Sequence, residues 1–312
     1  MTSASRVALV AGATRGAGRA IAIELARAGF HVLATGRSSR ITGPSDQGKP
    51  ETIEETAELA RAAGGSCEAR VVDHTDSGQV SRLMAYLLRR HGRLDVLVND
   101  MLGGDAFAEW GVPLWEHNLD GGLRMLRLGV ESHLVTLHHA VPALQATATA
   151  LGGRRTIVEI TDGHAAANRA PRPSAVYYDL VKAQIQRVVE LLGRDTRGRP
   201  LTAVGVTPGW LRSESMLRQF GVTEQTWRQF ADQEPSFGIS ETPTYVARGV
   251  AALVADPEVD RWNGRVVTAR QLSDAYGTTD IDGSRPDCWG LWDLHGWNSD
   301  DPAAIASIPD FR

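Results

Sequence analysis

Cysteine is scarce in this sequence, with only Cys67 and Cys288 among 312 residues. The two lie far apart and lack the neighbouring ligands that a metal site needs. Neither a disulfide framework nor a cysteine-based metal site is therefore expected. Free thiols are typical of a reducing compartment, and we predict that the protein is cytoplasmic.

Long apolar runs and long basic runs are also missing. The longest apolar stretches have the length of a strand, well short of the ~20 residues that a membrane-spanning helix needs. The net charge is −4, so neither nucleic acid nor an anionic membrane is an expected partner. The N-terminal residues run directly into the apolar segment 7–10 and a glycine turn, which predicts a first strand and not a signal peptide. A small molecule is the expected partner.

Strand-like and helix-like segments alternate along the chain. After a first apolar segment and a glycine turn, Ala17, Ile21 and Leu25 recur at helical spacing. This alternation predicts an α/β fold, a doubly wound parallel sheet with right-handed crossovers and helices on both faces. The predicted strands cover residues 6–11, 31–35, 68–72, 94–98, 156–160, 201–206 and 265–268. The predicted helices cover residues 17–28, 52–63, 77–91, 128–150, 174–194 and 243–255.

The last third of the chain has a different character. Residues 210–242 are irregular and rich in aromatic side chains, and we predict that they form a mobile substrate lobe of a single domain spanning residues 1–270. Residues 271–312 would form a C-terminal tail that carries Trp289, Trp292 and Trp297. This tail could pack on the domain, form an interface, or simply wrap the surface, since termini are often loosely held.

Three glycines follow the first predicted strand and precede the first helix. Gly12, Gly16 and Gly18 would let the backbone turn sharply and approach a pyrophosphate at the free N–H groups of the helix. Arg37 ends the second strand, where an acidic residue would bind the ribose of NAD. A guanidinium suits a 2′-phosphate instead, and Arg15 adds a second cation, so NADP(H) is the predicted cofactor. Two solvated surface arginines are the alternative.

Tyr178 and Lys182 are four residues apart on a predicted helix, so their side chains share one face. An ammonium ion beside a phenol stabilises the phenolate that remains after proton transfer, which suits an acid/base residue. Tyr177 is adjacent, but its partner at the same spacing is Val181. A buried structural pair is the alternative, and the upstream glycine turn argues against it.

Together, these motifs resemble the short-chain dehydrogenase/reductase family over residues 7–268. Asp73 follows the third strand, where the family contacts adenine. Asn99 ends the fourth strand, where the family has a two-asparagine turn. The segment from Pro208 to Ser213 follows the sixth strand and is similar to the family's Pro-Gly motif, which meets the nicotinamide amide.

The resemblance implies a Rossmann fold, a nicotinamide cofactor and a hydride-transfer reaction. It implies that Tyr178 is the acid/base and that Lys182 supports it and holds the nicotinamide ribose. It also implies a homodimer or homotetramer, since these are common in the family. The residues predicted to bind the cofactor are Gly12, Thr14, Arg15, Gly16, Gly18, Arg37, Ser38, Asp73, Asn99, Tyr178, Lys182, Pro208, Gly209 and Ser213.

Two supporting residues of the family are replaced. Gly129 aligns with the family's helix asparagine, and Asp162 aligns with its serine, preceded by Thr161. An ionised Asp162 would oppose negative charge that develops on a carbonyl oxygen. Asp162 could be protonated, it could point away while Thr161 donates, or the substrate could be cationic, such as an iminium. We favour donation by Thr161, because threonine is the smallest change from serine, and count Thr161 and Asp162 among the catalytic residues.

Other side chains give weaker signals. His133, His138 and His139 lack acidic partners at metal-ligand spacing, and we predict packing or solvent-facing roles and no metal. His164 lies in the loop after Asp162 and is a predicted substrate contact. Trp210 follows the Pro-Gly turn and is the second predicted substrate contact.

The leading hypothesis is an NADP(H)-dependent oxidoreductase that acts on a carbonyl, alcohol or imine of a small organic molecule. A second hypothesis keeps the fold and cofactor but not net redox, as in a dehydratase or epimerase. A third is a cofactor-binding sensor or scaffold without turnover, which the changes at Gly129 and Asp162 suggest. The retained Tyr178 and Lys182 argue against the third hypothesis.

Overall fold

A computed structural model of the chain describes residues 5–45, 48–169, 175–299 and 301–312. Within these residues the protein has a seven-stranded parallel sheet with the order β3-β2-β1-β4-β5-β6-β7. The predicted doubly wound α/β fold is therefore confirmed. The strands are β1 Val7–Ala11, β2 His31–Gly36, β3 Ser66–Val71, β4 Val96–Asn99, β5 Arg155–Ile160, β6 Leu201–Thr207 and β7 Val266–Thr268.

Helices cover both faces of this sheet because alternate strand residues point to opposite sides. In β1, Ala8 and Val10 pack into a core under one face, and Val7 and Leu9 pack into a core under the other. The helices are α1 Gly16–Arg27, α2 Ile53–Ala62, α3 Ser77–His91, α4 Leu119–Leu126, α5 Ser132–Leu151, α6 Val176–Asp195, α7 Glu214–Gln219, α8 Arg228–Ala231, α9 Pro243–Ala255, α10 Ala269–Tyr276, α11 Cys288–His295 and α12 Pro302–Ser307.

The boundaries of most predicted elements agree with the structure to within two residues. The start predicted for α6, at residue 174, lies outside the described residues, as do residues 1–4 before the first strand. Local capping explains several sharp starts. The side chain of Thr52 accepts from the Glu55 N–H at the start of α2, and that of Asp76 accepts from the Gln79 N–H at the start of α3.

The single helix predicted over residues 128–150 is wrong at its start. The structure has α4, then a wide π-helical turn at Arg127–Glu131, then α5, with Pro142 inside α5. Gly129 lies in the wide turn, where an added Cβ would be 2.6 Å from Cγ1 of Val181 on α6. The absent side chain at position 129 thus lets α6 pack closely against this turn.

In the described part of the chain, none of the helices combines the length and the apolar character needed to cross a membrane.

Candidate active site

One cavity of about 710 Å³ lies at the carboxyl ends of the strands. In open α/β sheets this edge is where ligands bind, because the strand order reverses there. Its walls come from the glycine turn after β1, the loops after β2 to β6, helix α7 and the C-terminal tail.

The glycine turn has little room for side chains. Gly12 has φ +88°, and a Cβ there would lie 2.2 Å from the carbonyl oxygen of Asp100. A Cβ on Gly18 would lie 2.5 Å from the carbonyl oxygen of Gly12. The turn therefore packs directly against the end of β4 and leaves the N-terminus of α1 facing the cavity.

The N-terminus of α1 holds a carboxylate in this structure. The Gly16 N–H donates to Oε2 of Glu214 at 2.8 Å, and Arg19 lies 3.4 Å from the other oxygen of the same carboxylate. Free N–H groups at a helix start attract anions, and a pyrophosphate would use the same groups. Glu214 thus occupies an anion-binding position at Gly16, which lines the cavity.

Cations line the end of the cavity next to β2. Arg15 and Arg37 both lie on the wall, together with Thr14, Ser38 and Asp73. The Arg15 Nε donates to Glu51 at 3.1 Å, whereas its buried Nη2 has no hydrogen-bond partner among the described residues. Two guanidinium groups on this wall could hold an anionic group of a bound cofactor.

Three predicted site residues lie off the cavity wall. Asn99 is buried, and its amide donates to Glu159 at 2.7 Å. His164 lies 3.2 Å from Asp293 and packs edge-on against Trp289. Gly18 contributes to the site indirectly, because the absence of a side chain there lets the glycine turn pack closely. The other predicted cofactor and substrate residues line the cavity, including Pro208, Gly209, Trp210 and Ser213.

Tyr178 and Asp162 are in direct contact. The Tyr178 hydroxyl donates to Oδ2 of Asp162 at 2.8 Å, and the Lys182 ammonium lies 5.4 Å from the centre of the Tyr178 ring. The hydroxyl of Thr161 instead donates to the carbonyl oxygen of Lys182 at 3.0 Å, and Thr161 is 1% exposed. The favoured expectation, in which Asp162 points away and Thr161 donates to substrate, differs from this geometry because Thr161 is committed to the backbone of α6.

A buried polar cluster supports the loop after β4. The two ring nitrogens of His133 face Oε2 of Glu159 at 2.5 Å and the carbonyl oxygen of Met101 at 2.8 Å. The imidazole ring therefore links Glu159 on β5 to the backbone that follows β4. His133 therefore holds the loop that carries Asp100 and Met101 and has a structural role, in line with the packing role expected for it.

Asp100 is a partly buried acid on the cavity wall that sequence reasoning missed. Its Oδ2 accepts from the Gly18 N–H at 2.5 Å. Burial raises the pKa of Asp100 to about 7, although the Lys182 ammonium and the Gly18 N–H act in the opposite direction. The available signal was an aspartate following Asn99, where the family has a second asparagine.

Tryptophan side chains line the end of the cavity next to Tyr178. The ring of Trp110 lies 5.3 Å from that of Tyr178 and stacks at 6.2 Å on Trp297, with 14° between the planes. Trp292 lies 5.8 Å from Trp297 and 6.3 Å from Trp210. Only Trp210 was predicted here, because the sequence does not show where the tail lies.

One group of side chains with metal-like spacing occurs among the described residues, and it lies elsewhere. His31, Glu68 and His91 offer ligand atoms within 4.8 Å of one another. His31 begins β2 and His91 ends α3, so the group lies at the amino end of the sheet. It contributes nothing to the cavity.

Comparison with known proteins identifies the family of the chain. A family model described as short chain dehydrogenase matches residues 6–222. The mouse "Dehydrogenase/reductase SDR family member 1" is 28% identical over 290 residues, covering 89% of this chain and 84% of the mouse protein. A solved actinorhodin polyketide ketoreductase with NADPH has a TM-score of 0.66 and 23% identity, covering 85% of this chain and 95% of its own. An NADH-dependent reductase complexed with NAD has a TM-score of 0.64 and 20% identity, covering 85% and 94%.

The chain therefore belongs to the short-chain dehydrogenase family, a family of oxidoreductases with a Rossmann fold. The membership predicted from the glycine turn and the Tyr178–Lys182 pair is confirmed. One of the two solved neighbours carries NADPH and the other NAD. The fold thus accommodates a nicotinamide dinucleotide of either kind.

Proposed function

We propose that this protein is an NADP(H)-dependent oxidoreductase that transfers a hydride between the nicotinamide and a carbonyl or alcohol carbon of a small organic molecule. The observation that carries the proposal is that Tyr178, Lys182 and the glycine turn line one cavity. Family membership supports the same class of reaction.

The preference for NADP(H) rests on the arginines next to β2. Arg37 follows the end of β2, and the buried Nη2 of Arg15 has no partner among the described residues. A phosphate carries the negative charge that two guanidinium groups attract, and it could accept a hydrogen bond from the Nη2 of Arg15, whereas a ribose hydroxyl carries no such charge. NADPH should therefore bind more tightly than NADH.

Tyr178 is the proposed proton donor for reduction and acceptor for oxidation. The Lys182 ammonium, 5.4 Å from the ring centre, stabilises the phenolate that remains after donation. The Tyr178 proton points to Asp162 in this structure. For donation, the O–H must turn from the carboxylate to the substrate heteroatom, which is a small rotation about the C–O bond.

An imine is the second candidate substrate, and the contact between Asp162 and Tyr178 favours it. An imine is reduced as its protonated iminium form, and a carboxylate stabilises that positive charge. A carbonyl oxygen gains negative charge instead, which an ionised Asp162 opposes. The carboxylate would thus select for substrates with a basic nitrogen at or near the reacting carbon.

The proposal is tested by the oxidation of NADPH and NADH with a panel of ketones and cyclic imines. We expect turnover with NADPH and a drop of about 10²–10⁴-fold for Tyr178→Phe, since general acid catalysis contributes this much. Tyr177→Phe is the matched control, because Tyr177 lies next to Tyr178 on α6 and the variant loses the same hydroxyl. The Tyr177 side chain is buried and packs against His117. Equal rates for the two variants would overturn the role of Tyr178.

The same assay separates the alternative activities. A dehydratase or epimerase would form product without stoichiometric NADPH oxidation. A sensor or scaffold would bind NADPH tightly and turn over no member of the panel.

We further propose that the protein is cytoplasmic and that it forms a homodimer or homotetramer. Light scattering of the purified protein measures the number of subunits.

A further inference from the structure

We propose that the C-terminal segment, residues 280–299 and 301–312, forms one wall of the substrate site, and that the substrate carries a planar aromatic group that packs on Trp110 and Trp297. This inference rests on the proposed function, since it names the substrate class for the same site. It is carried by the attachment of the segment and by the rings that it brings to the cavity.

The segment is attached to the Pro-Gly turn after β6. The indole N–H of Trp289 donates to the carbonyl oxygen of Pro208 at 2.8 Å in a buried contact. Cys288 packs so closely on Gly209 that a Cβ there would lie 2.6 Å from the Cys288 Cβ. Helix α11 therefore sits directly against a turn that lines the cavity.

Both ends of the segment are fastened next to the substrate lobe. At its start, the Asp280 carboxylate accepts from the Thr242 N–H at 2.9 Å. At its end, the Arg312 guanidinium donates to the carbonyl oxygens of Gly238 and Ser240 at 2.9 and 3.0 Å. These contacts fix the position of the rings between them.

The rings of the segment reach the cavity next to Tyr178. Trp292, Trp297 and Asn298 all line it. Asn298 has φ 49° and accepts a hydrogen bond from the Ser236 hydroxyl at 2.8 Å, so the turn after Trp297 is held in place. Trp297 then stacks on Trp110, which in turn lies 5.3 Å from the Tyr178 ring.

This arrangement selects a substrate by shape and polarity. Trp110 is 46% exposed although it borders the proposed acid, so a large apolar ring face is available beside Tyr178. Aromatic rings pair favourably at centroid distances of about 4.5–7 Å, beyond the gain from apolar burial alone. A carbonyl or imine attached to an aromatic ring could place its reacting atom at Tyr178 and its ring against the tryptophans.

The test compares an aryl ketone, 1-tetralone, with an aliphatic ketone of similar reacting group, cyclohexanone. For Trp297→Ala and Trp110→Ala we expect about a tenfold higher Kd for 1-tetralone, since an aromatic pair plus its buried area contributes at least this factor. The Kd values of cyclohexanone and NADPH should change less than about twofold. Trp115→Ala is the matched control, because Trp115 is 84% exposed and lies off the cavity wall.

Binding is measured by calorimetry with the protein saturated with NADP⁺, so that the result does not depend on turnover. If wild-type protein binds 1-tetralone but reduces no ketone and no imine, the proposed function fails and the substrate-site inference stands. If it binds neither ketone, or if Trp297→Ala weakens both ketones equally, the inference is overturned. Trp297→Phe should recover most of the 1-tetralone affinity, which a merely structural role would not require.

Discussion

A carboxylate in hydrogen-bond contact with a phenol changes which charge a reaction site can stabilise. The Tyr178 hydroxyl donates to Asp162 at 2.8 Å, and the Lys182 ammonium lies 5.4 Å from the ring centre. A serine hydroxyl at position 162 would donate to a developing oxyanion, whereas a carboxylate only accepts. The identity of this one side chain therefore bears directly on whether the substrate is a carbonyl or an imine.

Asp162→Ser tests the charge of the substrate. If the natural substrates are imines, kcat/KM for cyclic imines should fall by about tenfold or more, because a charge-assisted contact is lost. In the same variant, kcat/KM for ketones should rise, because a donor replaces a carboxylate. Asp232→Ser is the control, since Asp232 is exposed. A fall of equal size for ketones and imines would contradict a charge-selective role.

Sequence spacing was sufficient to identify some of these residues and not others. Tyr178 and Lys182 were predictable because four residues on a helix always share a face. The roles of Asp162 and Thr161 depend on which way two neighbouring side chains point as β5 ends. That direction is set by α6, whose backbone carbonyl at Lys182 accepts from Thr161.

At the scale of elements, helix α7 places a carboxylate at the anion-binding start of α1. The Glu214 carboxylate lies on the Gly16 N–H, where the dipole of α1 favours negative charge. A pyrophosphate at the same helix start would meet this carboxylate and be repelled by it. Helix α7 thus opposes cofactor binding in the arrangement seen here.

Glu214→Gln should therefore tighten NADPH binding. We expect a Kd lower by about two- to fivefold, which corresponds to the usual ~0.3–1 kcal/mol for a charge at a helix terminus. Fluorescence titration with NADPH measures it. Glu116→Gln is the control, because Glu116 is exposed and distant from α1 in the sequence. A higher or unchanged Kd for NADPH in Glu214→Gln would show that the carboxylate does not compete with the cofactor.

The regular elements were predictable because periodicity and capping are local. Helix α3 was predicted with its observed bounds, and Asp76 supplies its cap. The wide turn at Arg127–Glu131 was missed, and the segment on which it packs is distant in sequence. Close packing of Val181 against Gly129 joins segments that are about fifty residues apart, which no local pattern shows.

At the scale of the whole molecule, Asp100 couples stability to pH. Burial raises its pKa to about 7 in the folded protein, against 3.8 for a free side chain. Between these values the folded protein retains a proton that the unfolded chain has lost. The free energy of unfolding should therefore fall as pH rises from about 4 to 7, because ionising the buried acid is costly.

Asp100→Asn should remove this dependence while keeping an acceptor for the Gly18 N–H. We expect the variant to gain stability relative to wild type at pH 8 compared with pH 5, by at most about 3 kcal/mol. Urea unfolding at both pH values measures the difference, with Asp232→Asn as the exposed control. An identical pH dependence in wild type and Asp100→Asn would exclude Asp100 as its source.

The overall architecture was the most predictable level, and the completed site the least. Alternating strands and helices determine a parallel sheet, and the glycine turn locates its ligand edge. The aromatic wall depends on contacts such as that between Trp289 and Pro208, which are 81 residues apart. Long-range packing of this kind leaves no periodic signal in the sequence.

The burial of Cys288 against Gly209 gives the protein an internal reporter. Burial raises the pKa of the Cys288 thiol well above its ordinary value, and that of Cys67 to about 11, so both are protected from thiol reagents. Labelling of Cys288 requires α11 to leave the Pro-Gly turn, and labelling of Cys67 requires the β2–β3 edge to open. The ratio of the two labelling rates, read by mass spectrometry, therefore separates release of the substrate wall from opening of the β2–β3 edge.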